Sequence, residues 1–170
     1  PSVSSAYEKA CGDARLFPRA AQRRRYQGME DWLAQAIVEG SPDAVVFADR
    51  DGSIRAWNAA AERMFGYAAS EAVGRSLDII IPENQRARHW AGYHEVMRTG
   101  VTRYGAELLS VPALRKDGSR LSLEFSVALV RGPDGALAGI VATLRDVTER
   151  WLRDKELRQR LASLEKRTAS

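Results

Sequence analysis

The sequence predicts an α+β domain built on a single antiparallel sheet. Two strand-like runs, residues 44–48 and 53–57, come first, and three more, residues 106–114, 121–130 and 137–144, come last. Each run is rich in aliphatic residues, and Asp-Gly pairs mark the turns between neighbouring runs. Short helical patterns fill the stretch between the two groups. Strands that are grouped at both ends of a helical block, instead of alternating with helices, favour an α+β arrangement over a doubly wound one.

The composition is typical of one folded domain with extensions. The chain has 170 residues, 45% of them hydrophobic, and no apolar run approaches the length of a membrane span. A single cysteine, Cys11, cannot form an intramolecular disulfide, so we expect a reducing, cytoplasmic compartment. The net charge of +4 is spread along the chain, and a lone Arg23-Arg24-Arg25 run does not predict a nucleic-acid surface.

The sequence lacks the usual signatures of catalysis. It contains no Ser-His-Asp arrangement, paired-cysteine motif, phosphate-binding loop or kinase signature. No cluster of titratable residues suggests a nucleophile or an acid/base pair. We therefore expect a binding module and not an enzyme.

Helical patterns flank the core on both sides. Residues 1–28 lack a sustained period and form a leader, and 29–40 form a short amphipathic helix. The core is predicted to span 41–149, followed by a C-terminal signalling helix over 150–170 with a coiled-coil-like leucine spacing. The two helices suggest a homodimer, because both carry apolar residues that a lone exposed helix would leave uncovered. These residues are Trp32, Leu33, Ala36, Ile37, Leu157, Leu161 and Leu164.

Capping residues define two helices inside the core. Asn58 is predicted to cap a helix over 59–65, and Gly66 is predicted to end it. A longer helix is predicted over 86–99, ended by Gly100. The brief helices and loops between these two helices could line a pocket.

Several short motifs lie at characteristic points along the core. An Asp-x-x-Gly hairpin precedes Trp57-Asn58, an Arg-Lys-Asp-Gly turn follows at 115–118, and Asp146-Val147-Thr148 closes the last strand. Together they resemble the PAS domain family over about residues 33–149. The resemblance implies a five-stranded antiparallel sheet with helices over one face, a ligand pocket between them, and a following helix that relays a signal to an output domain.

Residues 81–89, Ile-Pro-Glu-Asn-Gln-Arg-Ala-Arg-His, resemble the heme-binding PAS domains of FixL-type oxygen sensors. In those domains a histidine at this spacing binds the heme iron, so the resemblance implies that His89 is the metal ligand of a b-type heme. On a helical wheel His89 falls on the apolar side with Trp90, Tyr93, Val96 and Met97, opposite Arg88, Glu95 and Arg98.

The candidate cofactor-binding residues combine this helix face with the strands. They are His89, Tyr93, Val96, Met97, Arg103, Leu109, Leu123 and Ile140, with Ile79, Ile80 and Leu108 as further apolar walls. The expected ligand is a diatomic gas or another small molecule.

Two positions depart from the FixL-type pattern. Glu95 stands where those domains place an arginine near a heme propionate, and Leu109 stands at the position of their distal arginine. Arg103 is the candidate to pair with a propionate instead. The distal wall would then be apolar, offering van der Waals contact but no hydrogen bond to bound oxygen.

Two alternatives stay open. The domain could bind no cofactor and act in dimerisation or protein interaction. It could also bind FAD without a covalent bond, beside Trp57 or Trp90. A flavin photoadduct is disfavoured, because it needs a cysteine in the helical block and Cys11 lies in the leader.

Overall fold

The computed structural model describes residues 31–102 and 109–168, with side chains to residue 163. The elements follow in the order α1 (Asp31–Glu39), β1 (Ala44–Asp49), β2 (Ile54–Trp57), α2 (Ala59–Phe65), α3 (Ala69–Ala72), a 3-10 turn (Leu77–Ile79), α4 (Glu83–Thr99), β3 (Leu109–Leu114), β4 (Arg120–Arg131), β5 (Leu137–Asp146) and α5 (Thr148–Thr168). The predictions for the leader, for Arg103 and Leu108 and for the side chain of Leu164 lie outside the described residues.

The five strands form one antiparallel sheet in the order β2-β1-β5-β4-β3. The two groups of strands predicted from the sequence therefore meet in the middle, where β1 pairs with β5 along its whole length. This confirms the predicted α+β PAS fold with a C-terminal helix. Since side chains alternate across a strand, Val46, Ala142 and Val127 are paired neighbours on the face that packs against the helices.

The core on this inner face divides into two clusters. The larger cluster packs Trp57 and Phe65 against Leu121 and Leu123, and its members are almost fully buried. The smaller cluster packs Tyr93 and Met97 of α4 against Ala48 and Leu137. The two clusters lie over different parts of one sheet and share the half-buried Leu77.

Both sheet edges have contacts that limit further strand pairing. On β2, Ile54 N–H donates to the Arg75 carbonyl (2.8 Å) and the Ile54 carbonyl accepts from Gly74 N–H (2.8 Å). On β3, Leu114 N–H donates to the Ile80 carbonyl (2.9 Å), and Pro112 has no N–H to offer. Such edges disfavour edge-to-edge association.

Helix termini follow the capping residues, with one difference. Asn58 caps α2, and Gly66 and Gly100 end α2 and α4 with φ of +78° and +67°. Helix α4, however, begins at Glu83 and not at 86, directly after Pro82. A proline fixes φ in a range that suits a helix start, and a search for apolar periodicity alone misses this signal.

None of the helices described in 31–102 and 109–168 has the length and apolar character needed to cross a membrane.

Candidate functional site

Helix α4 lies against the inner face of the sheet and brings several predicted site residues together. Tyr93 and Met97 are buried, and Val96 of α4 and the half-buried Ile140 of β5 pack against the same cluster. The helical wheel was therefore right about the inward face of α4. Glu95 and Arg98, predicted on the opposite side, are exposed and form an ion pair (2.7 Å).

His89 lies one turn before Tyr93 on the same helix. Its ring packs edge-on against Trp90 (centroids 5.0 Å apart) and tilted against Tyr93 (5.8 Å). Its Nδ1 atom is buried and has no hydrogen-bond partner among the described residues. Burial lowers the pKa of His89, and the nearby His94 acts in the same direction while Asp78 opposes it. The imidazole is therefore mostly neutral at pH 7, with a free nitrogen in an apolar setting.

The hydroxyl of Tyr93 has a structural role. It donates to the carbonyls of Ala48 (3.1 Å) and Asp49 (2.5 Å), where β1 ends. Burial raises the pKa of Tyr93, and the charges of Asp49 and Asp51 add to this shift, so the hydroxyl stays protonated. Tyr93 therefore offers its ring, and not its hydroxyl, to a ligand beside α4.

Three of the remaining predicted residues lie in or against the larger cluster, and Leu109 belongs to neither cluster. Leu123 and Ile80 belong to the larger one, with Ile79 packed against it. Leu109 lies half-buried on β3, paired with Phe125 on the same face. The structure thus does not gather all of the predicted residues around one point.

An inner strip of apolar side chains lies between the clusters and is only partly covered. It consists of Leu109, Phe125, Val127, Leu129 and Ile140, which are all half-buried although they face the helices. Sequence reasoning missed Phe125, Val127 and Leu129. The alternation of apolar residues along 121–129 could have identified them, since it places all five alternate positions on one face. We call this set the inner strip.

These features fit a heme better than a metal ion held by protein groups alone. The described residues contain no group of three His, Cys, Asp or Glu side chains that could hold an ion. A heme needs an axial imidazole and apolar walls; His89 has an imidazole with a free nitrogen, and the inner strip is an apolar surface on the face against which α4 packs. The carboxylate of Glu95 is paired on the solvent side and does not charge the inner face.

A separate surface groove of about 340 Å³ lies where α5 leaves the sheet. Its lining includes Ser110, Pro112, Glu124, Arg150, Trp151 and Arg158. Since no residue of α4 lines it, this groove is distinct from the region around His89.

Comparison with known proteins agrees with the five-stranded fold described above. The family model described as PAS fold matches residues 38–151. The sensor protein FixL of Bradyrhizobium diazoefficiens is 27% identical over 79% of this chain and 27% of its own length. The oxygen sensor protein DosP of Escherichia coli is 24% identical over 82% of this chain and 16% of its own length. The chain thus spans about a quarter or less of these relatives.

A solved structure shows the same fold. The PAS domain of a protein from Colwellia psychrerythraea matches with a TM-score of 0.60 at 22% identity, over 70% of this chain and 99% of that one. At this identity the likeness concerns the fold alone. The family model covers two thirds of the sequence and includes all five strands of the described residues, and on this ground the chain belongs to the PAS-fold family.

Proposed function

We propose that this domain is a sensory module, not an enzyme, that binds a b-type heme through His89 and responds to a diatomic gas or to redox state. The buried, unpartnered Nδ1 of His89 carries the proposal, because buried polar atoms in proteins nearly always have a partner. The similarity to FixL and to the oxygen sensor DosP supports it. A bound heme would supply an iron atom that takes up a gas molecule reversibly.

The protein's own residues would set the selectivity of such a site. Leu109 and the rest of the inner strip are apolar and present no hydrogen-bond donor. Polar groups near a bound gas favour oxygen, whereas apolar contact alone does not discriminate in its favour. We therefore expect carbon monoxide to be favoured over oxygen, compared with sensors that have a polar group on this side.

A relay to an output domain through α5 has a structural basis. The Asp146 carboxylate accepts from Thr148 N–H (2.9 Å) and pairs with Arg115 (2.8 Å). Ser122 N–H of β4 donates to the Thr148 hydroxyl (2.9 Å), and Arg150 pairs with Glu124. The first turn of α5 is thus bonded to β4, the strand that contributes three residues to the inner strip. A displacement of β4 by a ligand would reach α5 through these bonds.

Absorption spectroscopy of the protein with and without added hemin tests the proposal. The wild-type protein should take up hemin and show a Soret band that shifts with carbon monoxide after reduction. His89→Ala should lose hemin or hold it weakly, whereas the matched variant His94→Ala should keep the wild-type spectrum, because His94 is exposed. Leu109→Arg should slow oxygen loss. If His89→Ala kept the axial imidazole absorption unchanged, His89 would not be the residue that binds the iron.

The second candidate function is a cofactor-free module for dimerisation, placed like the first in the cytoplasm. Exposed apolar residues on both flanking helices favour it: Trp32 and Ile37 of α1 are 62% and 60% exposed, and Leu157 and Leu161 of α5 are 61% and 58% exposed. This candidate predicts colourless protein that sediments as a dimer. A double variant, Leu157→Asp with Leu161→Asp, should weaken the dimer, and a parent protein that stays monomeric at high concentration would rule the candidate out. A bound FAD would instead appear as flavin absorbance.

A further inference from the structure

Helix α4 contacts the tip of the β1–β2 hairpin through Trp90. The Trp90 ring lies directly over Gly52, where a Cβ added to the backbone would be 2.2 Å from the ring carbon Cη2. Gly52 also has φ of +77°, a backbone conformation that other residues rarely adopt. The hairpin tip therefore provides a flat backbone surface that fits one indole ring.

The polar edge of the same ring is also held. Trp90 Nε1–H donates to the Asp78 carboxylate (2.8 Å) in the 3-10 turn. The Arg86 side chain of α4 donates to the carbonyl of Asp78 (3.2 Å) and lies 3.8 Å from its carboxylate. Asp78 thus joins two consecutive turns of α4 to the segment that precedes the helix.

The imidazole of His89 has no comparable restraint of its own. The ring of a metal-binding histidine is usually oriented by a hydrogen bond. Here the described residues make no hydrogen bond to Nδ1, and the ring contacts are with Trp90 and Tyr93. Among the described residues, the ring contacts with Trp90 and Tyr93 are therefore the interactions that can orient His89.

We infer that Trp90 is a positioning residue, which Gly52 and Asp78 hold in place so that the imidazole of His89 keeps its buried orientation against the inner face. The inference rests on the proposed function for its importance, but its geometry does not require a heme. Tyr93 acts in parallel, because its hydroxyl joins α4 to the end of β1. Trp90 follows His89 directly in the chain and also contacts its ring, whereas Tyr93 lies one helical turn away.

The first measurement needs no hemin. Diethyl pyrocarbonate labels accessible neutral histidines, and His94, the only other histidine, is exposed and serves as the reference. Because the His94 ring also stacks on Trp90 (centroids 5.8 Å apart), the rates in Trp90→Phe are compared with that of His94 in the wild-type protein. In the wild-type protein His89 should be labelled more slowly than His94. In Trp90→Phe and in Asp78→Ala the rate at His89 should approach that at His94. Asp78→Asn should behave as the wild type, because its amide oxygen can still accept from the indole.

The second measurement is hemin affinity, with Trp151→Phe as the matched control because Trp151 lies on α5. Loss of a group that orients a ligand typically lowers metal affinity about tenfold or more, so Trp90→Phe and Asp78→Ala should weaken hemin binding about tenfold and broaden the axial imidazole spectrum. Trp151→Phe and Asp78→Asn should not. A wild-type protein that takes up no hemin would refute the proposed function. The labelling rates would still test whether Trp90 positions His89. If His89 in a folded Trp90→Phe protein were labelled as slowly as in the wild type, Trp90 would not be a positioning residue.

Discussion

Asn58 is the residue whose replacement we expect to destabilise the domain most for its size. Its side chain is 1% exposed and forms four hydrogen bonds. The amide oxygen accepts from Val45 N–H (2.9 Å) and Ala61 N–H (3.0 Å). The amide nitrogen donates to the carbonyls of Val38 (2.9 Å) and Asp43 (3.1 Å). One side chain therefore connects α1, β1 and α2.

The magnitude of the loss follows from these bonds. Removing a helix N-cap costs about 1 kcal/mol. Each of the other three hydrogen bonds contributes about 1 kcal/mol, because their backbone partners lose a partner without regaining water. Asn58→Ala should therefore lower the free energy of unfolding by about 4 kcal/mol. With a urea dependence of about 2 kcal/mol/M, the denaturation midpoint should fall by about 2 M.

Urea denaturation followed by circular dichroism measures this loss. The control is Asn84→Ala, since Asn84 is exposed on α4 and its loss should change stability by no more than about 0.5 kcal/mol. Asn58→Asp separates the two halves of the network, because its carboxyl keeps the accepted bonds but loses both donated bonds when ionised. That variant should lose stability as the pH rises from about 4 to 7, since a carboxyl that is buried against two carbonyls favours its protonated form. A loss below about 1.5 kcal/mol for Asn58→Ala would refute the reasoning.

The remaining predictions concern pH and backbone space. Burial lowers the pKa of His89 in the folded protein below its ordinary 6.5, so the unfolded chain binds the proton more readily. The free energy of unfolding should therefore fall as the pH drops through about 6.5 towards the folded pKa. In His89→Gln the urea midpoint should change less over this pH range. A Cβ at Gly139 would lie 2.0 Å from the Ala48 carbonyl, so Gly139→Ala should cost about 3 kcal/mol in thermal unfolding. Gly92→Ala, which meets nothing within 4 Å on α4, should instead add up to about 1 kcal/mol. Equal effects of the two glycine variants would contradict the packing argument.

The features that the sequence predicted well depend on short-range periodicity. The inward face of α4 follows from 3.6-residue spacing. The cap at Asn58 and the glycine helix ends follow from local backbone chemistry. Each of these signals involves residues within one or two helical turns of each other, so it can be read directly from the sequence.

The features that were missed depend on contacts between distant segments. The helical wheel places Trp90 on the apolar side of its helix, but it does not show that the ring lies on Gly52 or that the indole N–H donates to Asp78. The Tyr93 hydroxyl finds its partners 44 and 45 residues earlier in the chain. No spacing rule predicts such pairs, because they depend on how the hairpin tip and α4 meet in space. The sequence could therefore identify the face that carries His89, but not what holds that face in place.

The division of the core suggests where a ligand could be accommodated without unfolding the domain. The cluster around Phe65 and Leu121 is almost fully buried, and the capping residue Asn58 is buried as well, so opening this part of the core would cost most of the stability. The inner strip is only half-buried, and Val127 in its middle belongs to neither cluster. Moving α4 away from the sheet would expose Tyr93 and Met97, and it would strain the contacts of Trp90 and Tyr93 with the hairpin. A ligand in this region would therefore act first on the β1–β2 hairpin and on β4, and β4 is hydrogen-bonded to the first turn of α5.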